Sequence, residues 1–343
     1  MISRIIKESA VKELRHMLEH SEKIVITCHL SPDGDAIGSS LGLYHVLTRI
    51  GKSVQVVTPD MLPRNLTFLP GAKDVVPFTR YGEFATRLFN EADLVFCLDF
   101  NDPKRVDKMA PVLEASPARK VMIDHHLFPG DFVDLTISHP EVSSTSMLVF
   151  RVLCRLELFD EIDRQAAECI YTGMMTDTGN FSYNSNDPDL YVVIAELLRK
   201  GIDKDRIYQQ ACNTNSLSRL RLNSYAVYNK MQVFAQHRAA LITLTGAELK
   251  EFNYEKGDTE SLVNVPLGMP EVTYSMFLRD DGSYIKVSMR SKGDFAVNRI
   301  CEDHFNGGGH RNAAGGEFYG TLQEAVDKFM EIMPEYYCYL PKK

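Results

Sequence analysis

One imidazole and two carboxylates lie close together in the turn Cys28–Gly38, which reads CHLSPDGDAIG and contains His29, Asp33 and Asp35. Carboxylate oxygens and imidazole nitrogens are ligands that divalent cations use in proteins. The turn is therefore a candidate for metal chemistry. Taken alone, the two aspartates are equally well explained as turn formers or helix caps. The metal interpretation needs further ligands elsewhere in the chain.

A strand and a helix are predicted on either side of this turn. Residues 24–26 are apolar and β-branched, which favours a buried strand within residues 23–27. Residues 39–47 have apolar side chains at helical spacing, and Gly51 is a suitable C-cap. A second strand is predicted over residues 53–57. The order strand, helix, strand is typical of a βαβ unit in a largely parallel sheet.

Two further predicted strands also end in acidic residues or histidines. Residues 93–98 lead to Asp99, and residues 119–123 lead to Asp124-His125-His126. Open parallel sheets bind ligands at the edge formed by the carboxyl ends of their strands. A pair of metals about 3.5–4 Å apart needs a bridging carboxylate and separate ligands on either side. The residues that could supply such donors are His29, Asp33, Asp35, Asp99, His125 and Asp177.

Length and patterning predict two domains, because 343 residues exceed what one core usually organises. We expect an α/β fold with an N-terminal doubly wound, mostly parallel sheet and a smaller C-terminal α+β domain with a mixed sheet. The predicted divisions are a catalytic domain over residues 1–212, a helical linker over 213–230 and a second domain over 231–343. From residue 231 onward the strands are predicted to be of antiparallel type, with a hairpin at residues 280–283.

The remaining predicted elements follow from periodicity and capping residues. Helices are expected over residues 1–18, 143–158, 163–175, 190–200, 217–230, 295–305 and 322–332, and residues 62–79 are expected to form a loop. Strands of the second domain are expected over residues 231–234, 239–245, 272–279, 284–291 and 317–319.

Composition excludes several classes of protein. A net charge of -8 argues against a broad basic surface for long duplex nucleic acid. No apolar stretch approaches the roughly 20 residues of a membrane span. The amphipathic N-terminus is unlike a signal peptide, which needs a continuous apolar core. Seven cysteines without close paired spacing favour free thiols in a reducing compartment, so we expect a cytoplasmic protein.

A glycine run near the C-terminus has two interpretations. Gly307-Gly308-Gly309 is followed directly by His310 and Arg311. Glycines alone are better explained as a connector. The two cationic residues favour a loop whose backbone N–H groups approach an anion, with Arg290 as a further contact. We expect Lys292 to be an ordinary surface cation. Three aromatic residues could stack on a base, although each is better explained as core or loop anchor: Phe181, Tyr183 and Phe305.

These motifs together, in this order and over nearly the whole chain, resemble the DHH/DHHA1 phosphoesterase family. They are most similar to its stand-alone oligoribonucleases and pAp phosphatases (nanoRNases). The chain is too short for the extra domains of the RecJ exonucleases in that family. We likewise expect none of the membrane and sensory segments of the large cyclic-dinucleotide phosphodiesterases. One departure is Met147, at a position where we expect many members of the family to carry glutamate.

The resemblance implies a role for each motif residue. His29 and Asp33 would hold one metal, and Asp35, His125 and Asp177 a second, with Asp99 bridging them. Asp124 would orient a ligating histidine. His126 would face the scissile phosphate. The metals would be two Mn²⁺ ions, with Mg²⁺ as the other candidate. Substrate would be bound by Arg290, Gly307, Gly308, Gly309, His310 and Arg311.

The implied activity is hydrolysis of short RNA to mononucleotides, and of pAp to AMP, by water activated by two metals. Two alternatives stay open within the same chemistry. They are a phosphodiesterase for linear or cyclic dinucleotides (pApA, cyclic di-AMP) and an exopolyphosphatase. A nucleotide-binding sensor without catalysis is the alternative from a different class. The expected partners are short oligonucleotides, pAp or dinucleotides, without long duplexes or membranes, and a homodimer is an option.

Overall fold

A computed structural model of the chain describes residues 4–213 and 215–336. The chain divides into two compact units, Met1–Thr214 and Asn215–Lys343, and each has a sheet of its own. Parts of three predicted segments lie outside the described residues: 1–3 of the leading helix, 214 of the linker and 337–343 of the second domain.

The first unit contains a six-stranded sheet in which every pair of neighbours is parallel. Its strands are β1 (Lys23–Thr27), β2 (Ser53–Thr58), β3 (Val76–Pro77), β4 (Leu94–Leu98), β5 (Arg119–Asp124) and β6 (Leu135–Ser138). They lie in the order β3-β2-β1-β4-β5-β6. The strand order therefore reverses between β1 and β4, and ligands bind at such a switch point in open α/β sheets.

The described residues of the first unit contain eight α-helices. They are α1 (Glu8–Glu19), α2 (Gly34–Arg49), α3 (Phe78–Glu91), α4 (Ala110–Ala115), α5 (Thr145–Arg155), α6 (Arg164–Asp177), α7 (Pro188–Arg199) and α8 (Lys204–Cys212). The sheet is buried on both faces because alternate residues of β1 enter different cores. Ile24 and Ile26 pack with residues of α2, α5 and α6, whereas Val25 packs with residues of α3 and α4.

Helices α2 and α6 cross at very short distance because both have glycine at the crossing. A Cβ atom at Gly38 would lie 2.5 Å from the carbonyl oxygen of Cys169 and 2.7 Å from the backbone nitrogen of Gly173. Real Cβ atoms do not approach other atoms so closely. This crossing fixes the first turn of α2 against the last turns of α6.

The second unit contains another six-stranded sheet, in the order β11-β12-β10-β9-β8-β7. Its strands are β7 (Gln232–Phe234), β8 (Ala239–Leu244), β9 (Tyr274–Asp280), β10 (Ile285–Ser291), β11 (Gly308–His310) and β12 (Ala313–Phe318). Its helices are α9 (Leu217–Tyr225), α10 (Gly246–Glu251), α11 (Val297–His304) and α12 (Leu322–Ile332). The core of the unit includes the rings of Tyr274 and Phe295, which stack 4.4 Å apart.

The predicted fold class is confirmed: a parallel sheet with helices is followed by a smaller unit with a mixed sheet. The expectation of purely antiparallel strands after residue 231 is wrong for one pair, because β8 and β9 run parallel. The chain between them contains α10 and a 3-10 helix at Leu262–Gly268, which provide the crossover that parallel strands need.

Several local predictions need correction. The segment 62–79, expected to be a loop, contains two 3-10 turns, all of β3 and the start of α3. The strand expected at 317–319 spans Ala313–Phe318. The helix expected from residue 143 begins at Thr145, because the Ser144 hydroxyl accepts a hydrogen bond from the Met147 N–H and so caps it. The predictions omitted α3, α4, β6, α8, α10 and β11.

Candidate metal centre

The turn after β1 places its two aspartates in different environments. Asp33 caps α2, since its Oδ1 accepts hydrogen bonds from the N–H groups of Asp35 and Ala36, each at 3.0 Å. Asp35 is 1% exposed, and its two oxygens accept the N–H groups of Thr145 at 2.6 Å and Ser146 at 2.8 Å. Asp33 is therefore a helix cap, as one interpretation of the turn predicted. Asp35 instead accepts hydrogen bonds from the N-terminus of α5, where the helix dipole stabilises a carboxylate.

Asp99 follows β4 in a strained conformation. Its φ of +63° is in the left-handed region, which costs a non-glycine residue roughly 1–2 kcal/mol and which aspartate tolerates better than most. Its N–H donates to the carbonyl of Ile123 at 3.2 Å, and its Oδ1 accepts the Thr145 hydroxyl at 2.9 Å. The side chain is 2% exposed. These contacts hold the carboxylate at the switch point between β1 and β4.

Two groups of three potential ligands form around this carboxylate. The first group consists of His29, Asp33 and Asp99, and the second of Asp35, His125 and Asp177. Within each group the potential ligand atoms lie within 4.8 Å of one another. Asp99 connects the groups. Its Oδ2 lies 3.4 Å from His29 Nε2, and its Oδ1 lies 3.6 Å from His125 Nε2.

Asp177 reaches the second group from the end of α6. Its Oδ2 lies 3.6 Å from His125 Nε2, whose distance to Asp35 Oδ2 is 3.9 Å. The six residues that the sequence singled out as ligands thus lie together, although they come from four separate segments of the chain.

The neighbouring Asp124 makes a different contact from the one expected. It was expected to orient a ligating histidine, but its Oδ1 lies 2.7 Å from Nδ1 of His126, and His125 Nδ1 instead faces the Val142 carbonyl at 3.2 Å. Asp124 is fully buried. It therefore fixes the ring of His126, the residue expected to face the phosphate, and the backbone orients His125.

The pKa values in the cluster are shifted because several ionisable side chains are buried close together. Burial raises the pKa of Asp35 well above its ordinary value, and the nearby carboxylates of Asp99 and Asp177 raise it further. Burial also acts against the charge of Asp99, but contacts with His29 and His126 outweigh it and hold the pKa of Asp99 low. Burial opposes the charge of His29, yet Asp33 and Asp99 raise its pKa well above normal. Buried carboxylates in such numbers repel one another unless cations lie between them.

The donor set fits a pair of divalent cations. It combines carboxylate oxygens, which hard cations prefer, with two imidazoles, which shift the preference towards Mn²⁺ or a softer ion. The Nδ1 atoms of His29 and His125 both face backbone carbonyl oxygens, at 2.8 and 3.2 Å. Such contacts fix the ring so that Nε2 is the atom turned to the cluster, as in metal-ligating histidines.

The predicted substrate-binding residues lie in the second unit. Arg290 on β10 pairs with Ala313 on β12, which pairs with His310 on β11, so Arg290 and His310 lie on the same face two strands apart. Arg311 forms an exposed ion pair with Asp294 at 2.8 Å. Lys292 is half-buried and donates to the carbonyls of Leu267 and Met269, so it is structural rather than an ordinary surface cation.

The glycine run is mostly strand rather than loop. Gly308 and Gly309 form β11 with His310 and pair with β12. A Cβ atom at Gly307 would collide with the carbonyl oxygen of Gly315, and one at Gly309 would lie 2.6 Å from that of Ala313. Close packing of backbone on backbone therefore explains these two glycines without an anion.

Of the three aromatic residues considered for base stacking, two are accounted for by packing. Phe305 is fully buried in the second core, and Phe181 is half-buried with its ring 5.9 Å from that of Tyr171. Tyr183 is 56% exposed, and its ring lies over Gly179. The loops at the sheet edge carry another aromatic residue, Phe128, which is 86% exposed.

Sequence reasoning missed two residues that organise the centre. Thr145 donates to Asp35 through its backbone and to Asp99 through its hydroxyl. The predicted start of a helix at residues 143–144 was the available signal, since a helix N-terminus attracts carboxylates. Asn101 donates from its side chain to the carbonyl of Leu127 at 2.7 Å. No local pattern pointed to that contact.

Comparison with known proteins places this two-unit α/β architecture in a family. Residues 23–174 match the DHH family, N-terminal domain, and residues 239–337 match the DHHA1 domain. The chain belongs to the DHH/DHHA1 phosphoesterase family. It is 32% identical to the bifunctional oligoribonuclease and PAP phosphatase NrnA of Thermus thermophilus, over 91% of this chain and 89% of that protein.

Two other similar proteins bear on function. The cyclic-di-AMP phosphodiesterase GdpP of Geobacillus thermodenitrificans is 26% identical over 94% of this chain, which corresponds to 49% of that protein. The crystal structure of an exopolyphosphatase-related protein from Bacteroides fragilis superposes with a TM-score of 0.96 at 52% identity. That alignment covers 98% of this chain and 99% of the other. Among the described residues, the helices are all too short or too polar to span a bilayer.

Proposed function

We propose that the protein is a metal-dependent phosphoesterase that hydrolyses short oligoribonucleotides to mononucleotides and pAp to AMP. The observation that carries this proposal is the convergence of two three-residue ligand groups on the single carboxylate of Asp99. Similarity to the NrnA protein of T. thermophilus over nine-tenths of the chain supports the choice of substrates.

The proposed ligand assignment follows the two groups. His29 and Asp33 would hold one cation, and Asp35, His125 and Asp177 would hold the other, with Asp99 shared. When bound, such a pair of cations supplies an activated water and neutralises charge on the phosphate. Mn²⁺ fits the imidazole content best, and Mg²⁺ is the alternative.

His126 is proposed to contact the phosphate. Its Nδ1 is engaged by the buried Asp124 at 2.7 Å, so a contact with a phosphate oxygen would be made through Nε2. When both ring nitrogens carry a proton, Nε2 is a hydrogen-bond donor. His126 would thereby stabilise charge that develops on phosphate oxygen or protonate the leaving oxygen.

The second unit is proposed to bind the rest of the substrate. Arg290 and His310 share one face of its sheet and offer cationic or donor groups to an anion. Arg311 and the glycines 307–309 belong to the same proposal. One small cationic patch on a protein of net charge -8 suits short substrates rather than long strands.

A dinucleotide phosphodiesterase is the second candidate. The observation that favours it is the similarity to GdpP, which extends over nearly the whole of this chain. The same metal centre would serve both reactions, so the substrates alone separate them. Similarity to the exopolyphosphatase-related protein of B. fragilis favours exopolyphosphatase activity as a further alternative. A nucleotide-binding sensor without catalysis is disfavoured, because a protein that only binds would not need the complete set of proposed metal ligands.

A hydrolysis panel tests these proposals. The substrates are pAp, pApA, a short RNA oligomer, cyclic di-AMP and tripolyphosphate, each assayed with Mn²⁺, with Mg²⁺ and with chelator. We expect metal-dependent release of mononucleotides from the RNA oligomer and of phosphate from pAp. Preference for pApA or cyclic di-AMP would favour the second candidate, and hydrolysis of tripolyphosphate alone would refute both.

The matched variants are Asp99→Asn and Asp93→Asn. Both residues lie at ends of the same strand, and Asp93 accepts the N–H groups of Glu22 and Lys23 at 2.8 Å, a contact that an asparagine oxygen can retain. We expect Asp99→Asn to abolish turnover and Asp93→Asn to retain it. Near-normal turnover by Asp99→Asn in Mn²⁺ would contradict the shared-ligand mechanism.

A further inference from the structure

Phe128 is an aromatic side chain that contributes little to folding. It lies two residues after His126 and is 86% exposed. Its φ of +61° is in the left-handed region, which is a genuine outlier for a bulky residue. An exposed ring gains almost no hydrophobic stabilisation to offset this conformation. Strained residues of this kind are concentrated at functional sites.

The loop that carries Phe128 is fastened to the strand end that carries Asp99. The side chain of Asn101 donates to the carbonyls of Leu127 and Phe128, at 2.7 and 3.4 Å. The N–H of Gly130 donates to the carbonyl of Asn101 at 2.8 Å. These three bonds hold the exposed ring on a fixed backbone.

A pair of stacked rings anchors the far side of the same loop. Phe100, which follows Asp99 and is fully buried, lies 5.9 Å from the ring of Phe132 at an interplanar angle of 21°. The loop is therefore tied at both ends to residues beside the metal centre. Because Phe128 is preorganised, binding a ligand there would cost little conformational entropy.

The position of Phe128 suits a ligand that joins a phosphate to a flat ring. Two residues span at most about 7 Å, so its backbone lies close to that of His126. The neighbouring Leu127 is 45% exposed and extends the apolar surface. Nucleobases stack on exposed aromatic rings, and this contact tolerates every base because each has a π face.

We propose that Phe128 is a nucleobase subsite of the metal centre and stacks on the base next to the phosphate that is cleaved. This inference rests on the proposed function, because it requires a nucleotide substrate. The stacking contact would make the enzyme selective for nucleotides over phosphate esters that have no base. Such a contact explains why a strained, exposed phenylalanine follows the two histidines.

The test is an abasic comparison in Mn²⁺. The substrates are pApA and two analogues in which one or the other adenine is replaced by an abasic spacer, with tripolyphosphate as a substrate without any base. The variants are Phe128→Ala, Phe128→Gly, Phe128→Trp and the control Phe84→Ala. Phe84 is 43% exposed and lies on α3. The buried residues of α3 belong to the core on one face of the sheet, whereas α2 and α6 pack on the other face.

We expect wild type to lose about 5- to 150-fold in kcat/KM for one of the two abasic analogues, the range for loss of one base–aromatic stack. Phe128→Ala should lose the same factor on pApA and no longer distinguish that analogue from pApA. Phe128→Trp, which retains an aromatic ring, should still distinguish that analogue from pApA, and Phe84→Ala should behave like wild type. Phe128→Gly should match Phe128→Ala in activity while its melting temperature equals or exceeds that of wild type, since glycine relieves the strain.

Other results would overturn the subsite. One is full discrimination by Phe128→Ala between pApA and both analogues. Another is equal loss by that variant on every substrate together with a lower melting temperature, which would assign Phe128 to a structural contact. Failure of the proposed function looks different, because wild type would then hydrolyse none of the nucleotides.

Discussion

Glycine at position 173 is predicted to control the position of Asp35, a carboxylate that we propose as a metal ligand. A Cβ atom there would lie 2.8 Å from Asp35 Oδ1 and 2.8 Å from the Cβ of Ser146, and closer still to the Ser146 hydroxyl. Ordinary contacts between such atoms are about 3.5–4.0 Å, so the neighbours must move by roughly 0.7 Å or more. Groups that bind a metal ion must lie within about 0.5 Å of their productive position, so a shift of this size would disturb Asp35.

The substitution Gly173→Ala should therefore weaken cation binding as well as stability. Overpacking of this kind costs about 1–3 kcal/mol in the free energy of unfolding. Disturbing a group that supports a metal ligand typically lowers metal affinity by about 10- to 100-fold. We expect both effects, measured as the free energy of unfolding in urea without metal and as the Kd for Mn²⁺ from calorimetric titration.

Gly42→Ala is the matched control, because it overpacks the same pair of helices farther from the cluster. Its Cβ would lie 2.5 Å from Cγ1 of Ile170. We expect a comparable loss of stability with unchanged Mn²⁺ affinity. Mn²⁺ binding by Gly173→Ala that equals that of wild type would refute the claim that the helix crossing positions Asp35.

Two further predictions concern single hydrogen-bonding groups. Thr145→Val removes the hydroxyl that donates a hydrogen bond to Asp99 at 2.9 Å. It should lower the affinity for Mn²⁺ about 10- to 100-fold in a calorimetric titration, whereas Thr145→Ser should retain the wild-type affinity. Equal Mn²⁺ affinities of the two variants would contradict a role of this hydroxyl. Burial opposes the charge of Glu248, but Lys230 and Thr245 outweigh it and hold its pKa at about 2. Its contribution to stability is thus present above its unfolded pKa of about 4.3 and is lost as the pH falls towards 2. The difference in urea stability between wild type and Glu248→Gln should shrink over that range, and a constant difference would refute the assignment.

The fold was predictable where each segment carries its own signal. The strands 23–27, 94–98 and 119–124 each contain a short run of buried apolar residues, and polar groups lie at or beside their ends. Helix α3 was missed because Tyr81 interrupts it with non-helical dihedrals and only Ala85 and Phe89 are buried. The four residues of β6 were too few to show a period. The parallel pairing of β8 with β9 depends on contacts between distant segments, which no local pattern encodes.

The candidate centre was predictable to the same extent. Each expected ligand was visible because it follows a strand or ends a helix, and the order of the motifs then favoured the interpretation as ligands. The groups that fix those ligands were not visible. Thr145 lies 46 residues from Asp99, and Asn101 lies 26 residues from Leu127, so their hydrogen bonds exist only once the chain has folded. The left-handed backbone of Phe128 likewise has no signature in its residue type.

The dispersal of the ligand set along the chain has a consequence for biosynthesis. The cluster begins at His29 and is completed by Asp177, at the end of α6. A nascent chain whose α6 is still inside the ribosome lacks the last carboxylate and the helix that positions Asp35. The proposed site of Asp35, His125 and Asp177 therefore cannot be complete before α6 has been synthesised, whereas His29, Asp33 and Asp99 of the other proposed site all precede α6 in the chain. We therefore expect the two proposed cation sites to be completed at different stages of synthesis.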